Sequence, residues 1–136
     1  MEWTSAMARI IIADDEPTHL EMVAAILQRA GHDVVAVSGG NACLRQIEGG
    51  GVDLVVTDIF MPDFDGFQLV TALRRNGRRI PVVAMTGGMM GLVQPYAEMM
   101  VRSGANAVLI KPFSSSDLLD AVRSSLVLAD GSHDAG

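Results

Sequence analysis

Five polar residues stand where apolar runs of the chain end. Asp14 and Asp15 follow Ile10–Ala13, Asp58 follows Val52–Thr57, Thr86 follows Ile80–Met85, and Lys111 follows Ala107–Ile110. Carboxylates about 5 Å apart repel one another by roughly 3 kcal/mol at an effective dielectric near 20, so three aspartates brought together call for a cation. Mg²⁺ suits them, because it takes one or two carboxylates, keeps waters and shares a phosphate oxygen. Thr86 offers a hydroxyl donor and Lys111 a compact positive charge, both suited to the oxygens of a transferring phosphoryl group. The implied chemistry is phosphoryl transfer to an aspartate, giving an aspartyl phosphate. Lys111 is also the only lysine among ten basic residues. Lysine acts as a flexible point charge where arginine presents a flat fork.

Taken singly, each residue has a plain structural reading. Asp14 or Asp15 before Pro17 reads as a helix cap, Asp58 as a loop cap, Thr86-Gly87 as a strand exit and Lys111-Pro112 as a turn. Only a fold that gathers them makes a site. Runs at Arg9–Ala13, Asp33–Val37, Val52–Thr57, Ile80–Met85 and Ala107–Ile110 are short and nearly all apolar, as strands buried on both faces are. Helical spacing fills the gaps at Pro17–Ala30, Asn41–Glu48, Gly66–Arg75 and Ser114–Leu128. The fourth gap is broken by glycines, and a helix is expected only over Pro95–Ser103. Five strands alternating with five helices predict an α/β, flavodoxin-like, doubly wound parallel sheet in the order 2-1-3-4-5. In that order the first and third strands are central neighbours. Ligands of such sheets sit beyond the carboxyl ends of the strands, which is where the five residues fall.

The 136 residues are expected to form one domain with its core over about 8–128 and with frayed tails. A net charge of −6 argues against a nucleic-acid partner, which would call for basic surplus. No apolar run reaches a membrane span, and a lone Cys43 excludes an internal disulfide; a cytoplasmic protein is expected.

Together the runs Ile11–Pro17, Val55–Gly66, Met85-Thr86 and Lys111-Pro112-Phe113 resemble the receiver domain of bacterial two-component response regulators, over about residues 8 to 128. The resemblance implies a phosphoprotein rather than an enzyme in its own right. Asp58 would accept the phosphoryl group from a histidine kinase or phosphotransfer protein. Asp14, Asp15, Asp58 and the backbone carbonyl of Phe60 would hold Mg²⁺, Asp14 acting through water. Thr86 and Lys111 would bind the phosphoryl oxygens, and the Lys111–Pro112 bond is often cis. The output would be altered protein binding through the face of the fourth helix, fifth strand and fifth helix, in the manner of stand-alone chemotaxis receivers. A homodimer stays open.

Two departures stand out. The family's usual aromatic residue three before the lysine is Val108, so signalling would run through backbone movement or through another side chain. Thr86 and Lys111 are 25 positions apart, slightly more than is common, which predicts a rearranged or mobile fourth helix. Phe60, two residues past Asp58, would shield a phosphoryl group from water. Elsewhere, Asp63, Asp65 and Gly66 do not make a calcium loop, because Met61 and Ala72 fill ligand positions. Arg74, Arg75, Arg78 and Arg79 are expected to form a solvated helix end, His19 a solvated side chain, and Cys43 a buried one. Met85, Met89, Met90, Met99 and Met100 are either core filler or an adaptable surface. Rival functions are a haloacid-dehalogenase-type phosphatase, which would need an acid at position 60, and a binding module that works without phosphorylation.

Overall fold

The computed structural model describes residues 7–87 and 93–135. Five strands, β1 (Arg9–Ala13), β2 (Asp33–Val37), β3 (Leu54–Asp58), β4 (Val82–Thr86) and β5 (Ala107–Ile110), alternate with α1 (Pro17–Arg29), α2 (Gly40–Glu48), α3 (Gly66–Arg75), α4 (Val93–Ser103) and α5 (Ser115–Ala135). The strands form one parallel sheet in the order β2-β1-β3-β4-β5, as the sequence predicts.

Alternation along the strands splits the core in two. Ile11, Ala13, Val55, Val82 and Ala84 face α2, α3 and α4, meeting Cys43, Ile47, Leu69, Leu73 and Met100. Ile10, Ile12, Leu54, Val56, Val83 and Met85 face α1 and α5, meeting Val23, Leu27, Leu118 and Val122. Cys43 is buried as expected, and burial pushes its thiol up to about 12.

The third and fourth strands begin two residues later than their apolar runs suggest. Asp53 spends its carboxylate on the Arg9 N–H at 2.8 Å, so pairing starts at Ile10 with Leu54. Pro81 has no N–H to give and only accepts from Val55, so β4 starts at Val82. Both strands also run one residue further, which makes Asp58 and Thr86 their last members.

Local sequence fixes the helix ends. Pro17 opens α1, and Gly31 at φ 96° ends it, letting the His32 N–H reach the Leu27 carbonyl. Asp65 and Gln68 form a capping box on α3, and Ser114 with Asp117 form one on α5. Helix α5 continues to Ala135 rather than ending near Leu128. The only helix breaker beyond Leu128 and before the last described residue is Gly131, which a helix tolerates at about 1 kcal/mol. Helix α4 starts at Val93, two residues early, because Pro95 in a first turn sacrifices an N–H that had no helical partner anyway. The helix is regular, and Met100 is buried beneath it. Over Val93–Ser103 the expected rearrangement of the fourth helix is not seen; residues 88–92 before it, with Met89 and Met90, lie outside the described residues. Met85 and Met100 are wholly buried and Met99 is exposed, so the methionines divide between core and surface.

The basic cluster is not simply a solvated helix end. Arg74 is half-buried, and its guanidinium donates to the carbonyls of Gly104, Arg78 and Ile80 and to the Asn106 side chain at 2.8–3.2 Å. Helix ends leave orphan carbonyls, and this fork gathers those of the turns flanking β4 and β5.

His32 ties the chain across the start of the sheet, its Nδ1 accepting the Ala8 N–H at 3.2 Å. Burial lowers its pKa below the ordinary imidazole value. The unfolded chain therefore takes up the proton first. The stability from His32 is complete above the unfolded imidazole range and is lost as pH falls through the folded pKa. Thermal unfolding between about pH 7.5 and 5.5 is expected to show a midpoint that falls less steeply in His32→Gln than in the parent. Parallel slopes would remove His32 from the acid sensitivity.

Candidate functional site

Register brings the acids together. Ala13 pairs with Thr57, so Asp14 and Asp58, each one step on, lie side by side at the carboxyl edge of β1 and β3. Asp14 is wholly buried, Asp58 nearly so, and Asp15 is exposed. One carboxylate oxygen from each lies within 4.8 Å of the others. Asp14 does not cap α1 in the usual way. Glu16 holds the cap position without a side-chain bond, and Asp14 Oδ1 takes the Glu16 N–H at 2.9 Å.

Lys111 enters from the other side. Its N–H donates to the Thr86 carbonyl at 2.8 Å, which extends the β4–β5 pairing one step beyond Thr86 and Ile110. From there Nζ reaches Asp58 Oδ2 at 3.1 Å and stands 3.6 Å from Asp14 Oδ2. The peptide bond to Pro112 is cis. Burial pushes the Asp58 carboxyl above the ordinary carboxylate range; Lys111 pulls it down, and neighbouring Asp14 pushes it further up. Charge is therefore expensive at this carboxylate, and one ammonium does not balance three acids.

Thr86 is buried at the end of β4, but its hydroxyl donates to the Gly87 carbonyl at 3.2 Å rather than to an acid. Phe60 stands two residues past Asp58 and is 39% exposed. Its ring meets Tyr96 of α4 edge-on at 5.0 Å, and Tyr96 also lies 6.3 Å from the ring of Phe67. Tyr96 went unnoticed in the sequence, since nothing in its spacing links it to a residue 36 positions earlier. Val108, at the family's aromatic position, is only partly buried, within the core facing α4.

His19 is not solvated. Its Nδ1 lies 2.6 Å from Asp14 Oδ2, its side chain is 13% exposed, and its ring meets Phe113 edge-on at 5.7 Å. Its place in the first turn of α1 was the available signal. Helix side chains lean toward the N-terminus, here toward the acids.

Asp63 reaches across from the β3–α3 loop. Its carboxylate accepts the N–H groups of Gly40 and Asn41 at 3.2 Å and of Phe64 at 2.8 Å, which holds its pKa below the usual carboxylate range. It caps α2, whose own cap position is Gly39 and lacks a side chain. Beside it an open cleft of ≈370 Å³, lined by Asp15, Ser38, Asn41, Arg45 and Pro62 among others, runs up to the acid cluster.

A cluster of three carboxylates with all-oxygen donors fits a hard divalent cation, and Mg²⁺ in particular, which binds through few carboxylates. The raised Asp58 pKa points the same way, since a bound cation would offset its cost of ionisation.

Residues 10–123 match the response regulator receiver domain, and the chain belongs to that family. It is 31% identical over 122 residues to the protein PilH of Pseudomonas aeruginosa, covering 88% of this chain and 98% of PilH. It is 34% identical over 124 residues to the sensor protein GacS of Pseudomonas syringae, but covers 88% of this chain and only 13% of GacS. Among solved structures, the receiver domain of the sensor histidine kinase PA1611 from Pseudomonas aeruginosa superposes with a TM-score of 0.77 at 27% identity, over 89% of this chain and 98% of that one. That structure carries a magnesium ion coordinated in its active-site cleft. Among the described residues no helix is long and apolar enough to cross a membrane.

Proposed function

We propose that this chain is a cytoplasmic phosphoacceptor receiver that takes a phosphoryl group on Asp58 from a histidine kinase or phosphotransfer protein and signals by altered protein binding. The observation that carries it is the meeting of Asp58, Asp14 and Asp15 with the chain's only lysine at one sheet edge. An Asp58 carboxylate oxygen attacks the phosphorus of a phosphohistidine. The P–N bond breaks, and its electron pair leaves with the imidazole nitrogen, which takes up a proton. Lys111 Nζ, already against Asp58 Oδ2, follows the charge onto the new phosphoryl oxygens. Thr86 trades its Gly87 carbonyl for one of those oxygens, which are stronger acceptors. Asp14, Asp15, Asp58 and the Phe60 carbonyl would hold Mg²⁺, which supplies positive charge against the phosphoryl oxygens. The open cleft beside Asp15 gives a donor side chain its approach.

Movement of Thr86 pulls on the β4 end and on α4. Exposed Met99, Val101 and Ile110 lie on the proposed output face of α4, β5 and α5, where a repacking would alter what binds. Where Val108 cannot swing, the switch would run through backbone and helix movement or through another side chain, for which Tyr96, packed on Phe60, is a candidate. The position that a dehalogenase-type phosphatase fills with a second acid holds Phe60, so turnover of small phosphomonoesters is not expected.

The reading is tested by incubating the full chain with a small acyl phosphate and Mg²⁺, then comparing partner capture by the two forms. One phosphoryl increment per chain and a changed set of captured proteins are expected. Unchanged capture with full phosphorylation would contradict signalling by this route. Phe60→Asn, which replaces the apolar ring by a polar group able to orient water, is expected to speed loss of the phosphoryl group roughly tenfold. An unchanged decay rate would remove Phe60 from this role.

A further inference from the structure

We propose that His19 is a positioning residue that fixes the Asp14 carboxylate and keeps Lys111 on Asp58. The inference rests on the phosphoacceptor reading for its purpose, but not for its geometry. Asp14 is wholly buried, so each of its oxygens needs a partner from within the protein. Oδ1 takes the Glu16 N–H at 2.9 Å. Oδ2 has two cations or donors in reach, His19 Nδ1 at 2.6 Å and Lys111 Nζ at 3.6 Å. A carboxylate only accepts, so the short contact assigns the proton to His19 Nδ1.

The consequence falls on Lys111. With Oδ2 taken by His19, the ammonium sits nearer Asp58 Oδ2, at 3.1 Å. Without His19, buried Asp14 Oδ2 would have Lys111 as its remaining donor among the described contacts, drawing the ammonium away from Asp58. The ring also has a mechanical tie to the lysine's own loop. Its edge-on contact with Phe113, two residues after Lys111, sets the height of that loop against the start of α1. One imidazole thus touches both the acid that would orient a metal and the segment that carries the cation. Groups that hydrogen-bond a metal ligand from behind commonly change affinity 10–100-fold when removed.

Asparagine and glutamine at position 19 separate this role from mere packing. The Asn amide nitrogen occupies the place of Nδ1, whereas that of Gln sits one carbon further out. In calorimetric titration of the full chain with Mg²⁺ alone, His19→Asn is expected to keep most of the affinity. His19→Gln and His19→Leu are expected to lose about tenfold. Phosphorylation of Asp58 by a small acyl phosphate should slow in the same order. Equal Mg²⁺ affinity in the Asn and Gln variants, or no Mg²⁺ binding by the parent chain, overturns the proposal. A parent chain that binds Mg²⁺ with this order of variants but never accepts phosphate leaves His19 in place and overturns the phosphoacceptor reading instead.

Discussion

Lys111→Arg will keep the formal charge of the chain and still slow phosphoryl transfer to Asp58, by roughly tenfold, while Lys111→Ala will slow it by about a hundredfold. The ammonium lies between two carboxylates, 3.1 Å from Asp58 Oδ2 and 3.6 Å from Asp14 Oδ2, with its side chain only 21% exposed. A guanidinium carries the same charge on a wider, planar fork, which prefers both oxygens of a single carboxylate. It cannot follow one oxygen from Asp58 onto a phosphoryl group without moving the Pro112-Phe113 loop. Rates from a small acyl phosphate under saturating Mg²⁺, measured on the two variants and the parent, check this. Parent-like rates and parent-like phosphorylation-dependent partner capture in Lys111→Arg would refute the role given to the lysine.

Gly40→Ala will cost the fold more than about 3 kcal/mol, at the upper end of what overpacking does. A Cβ on Gly40 would overlap the Phe64 carbonyl oxygen and come 2.9 Å from the Phe64 carbonyl carbon. The obstacle is backbone, so no side chain can step aside. The damage also reaches the site, because the Gly40 N–H is one of the three held by Asp63, and Asp63 anchors the loop between Asp58 and α3. Gly49→Ala is the control, since its Cβ would meet only ordinary contacts at 3.4 Å or more. Urea unfolding of both variants is expected to show a large loss for Gly40→Ala and a change within about 0.5 kcal/mol for Gly49→Ala. Equal stabilities would mean that the α2 entrance relaxes more easily than its backbone contacts indicate.

What the sequence disclosed follows from periodicity and from strand ends. Short, nearly all-apolar runs separated by helically spaced stretches were enough for the sheet order, because right-handed crossovers leave few alternatives. The acid cluster and Lys111 were legible because a parallel sheet brings all its carboxyl ends to one edge. Contacts made across that edge by helix side chains were not. His19 and Tyr96 act through direction and reach, with partners 5 and 36 positions away respectively, and no spacing rule marks such a pair. Arg74 was hidden for a related reason. Four clustered arginines look alike in sequence, and only the turns folded around one of them show that it collects carbonyls. Strand starts were displaced where a single residue changed the hydrogen bonding, Asp53 through its carboxylate and Pro81 through its missing N–H.

The central claim is that Asp58, among sixteen acidic residues, is the group that accepts phosphate. The direct measurement treats the chain with a small acyl phosphate with and without Mg²⁺, reduces the product with borohydride to trap any acyl phosphate, and locates the trapped residue by peptide mass spectrometry. The account predicts one modified site, Asp58, dependent on Mg²⁺ and absent in Asp58→Asn. Modification elsewhere, or none at all in a folded chain that binds Mg²⁺, would contradict it.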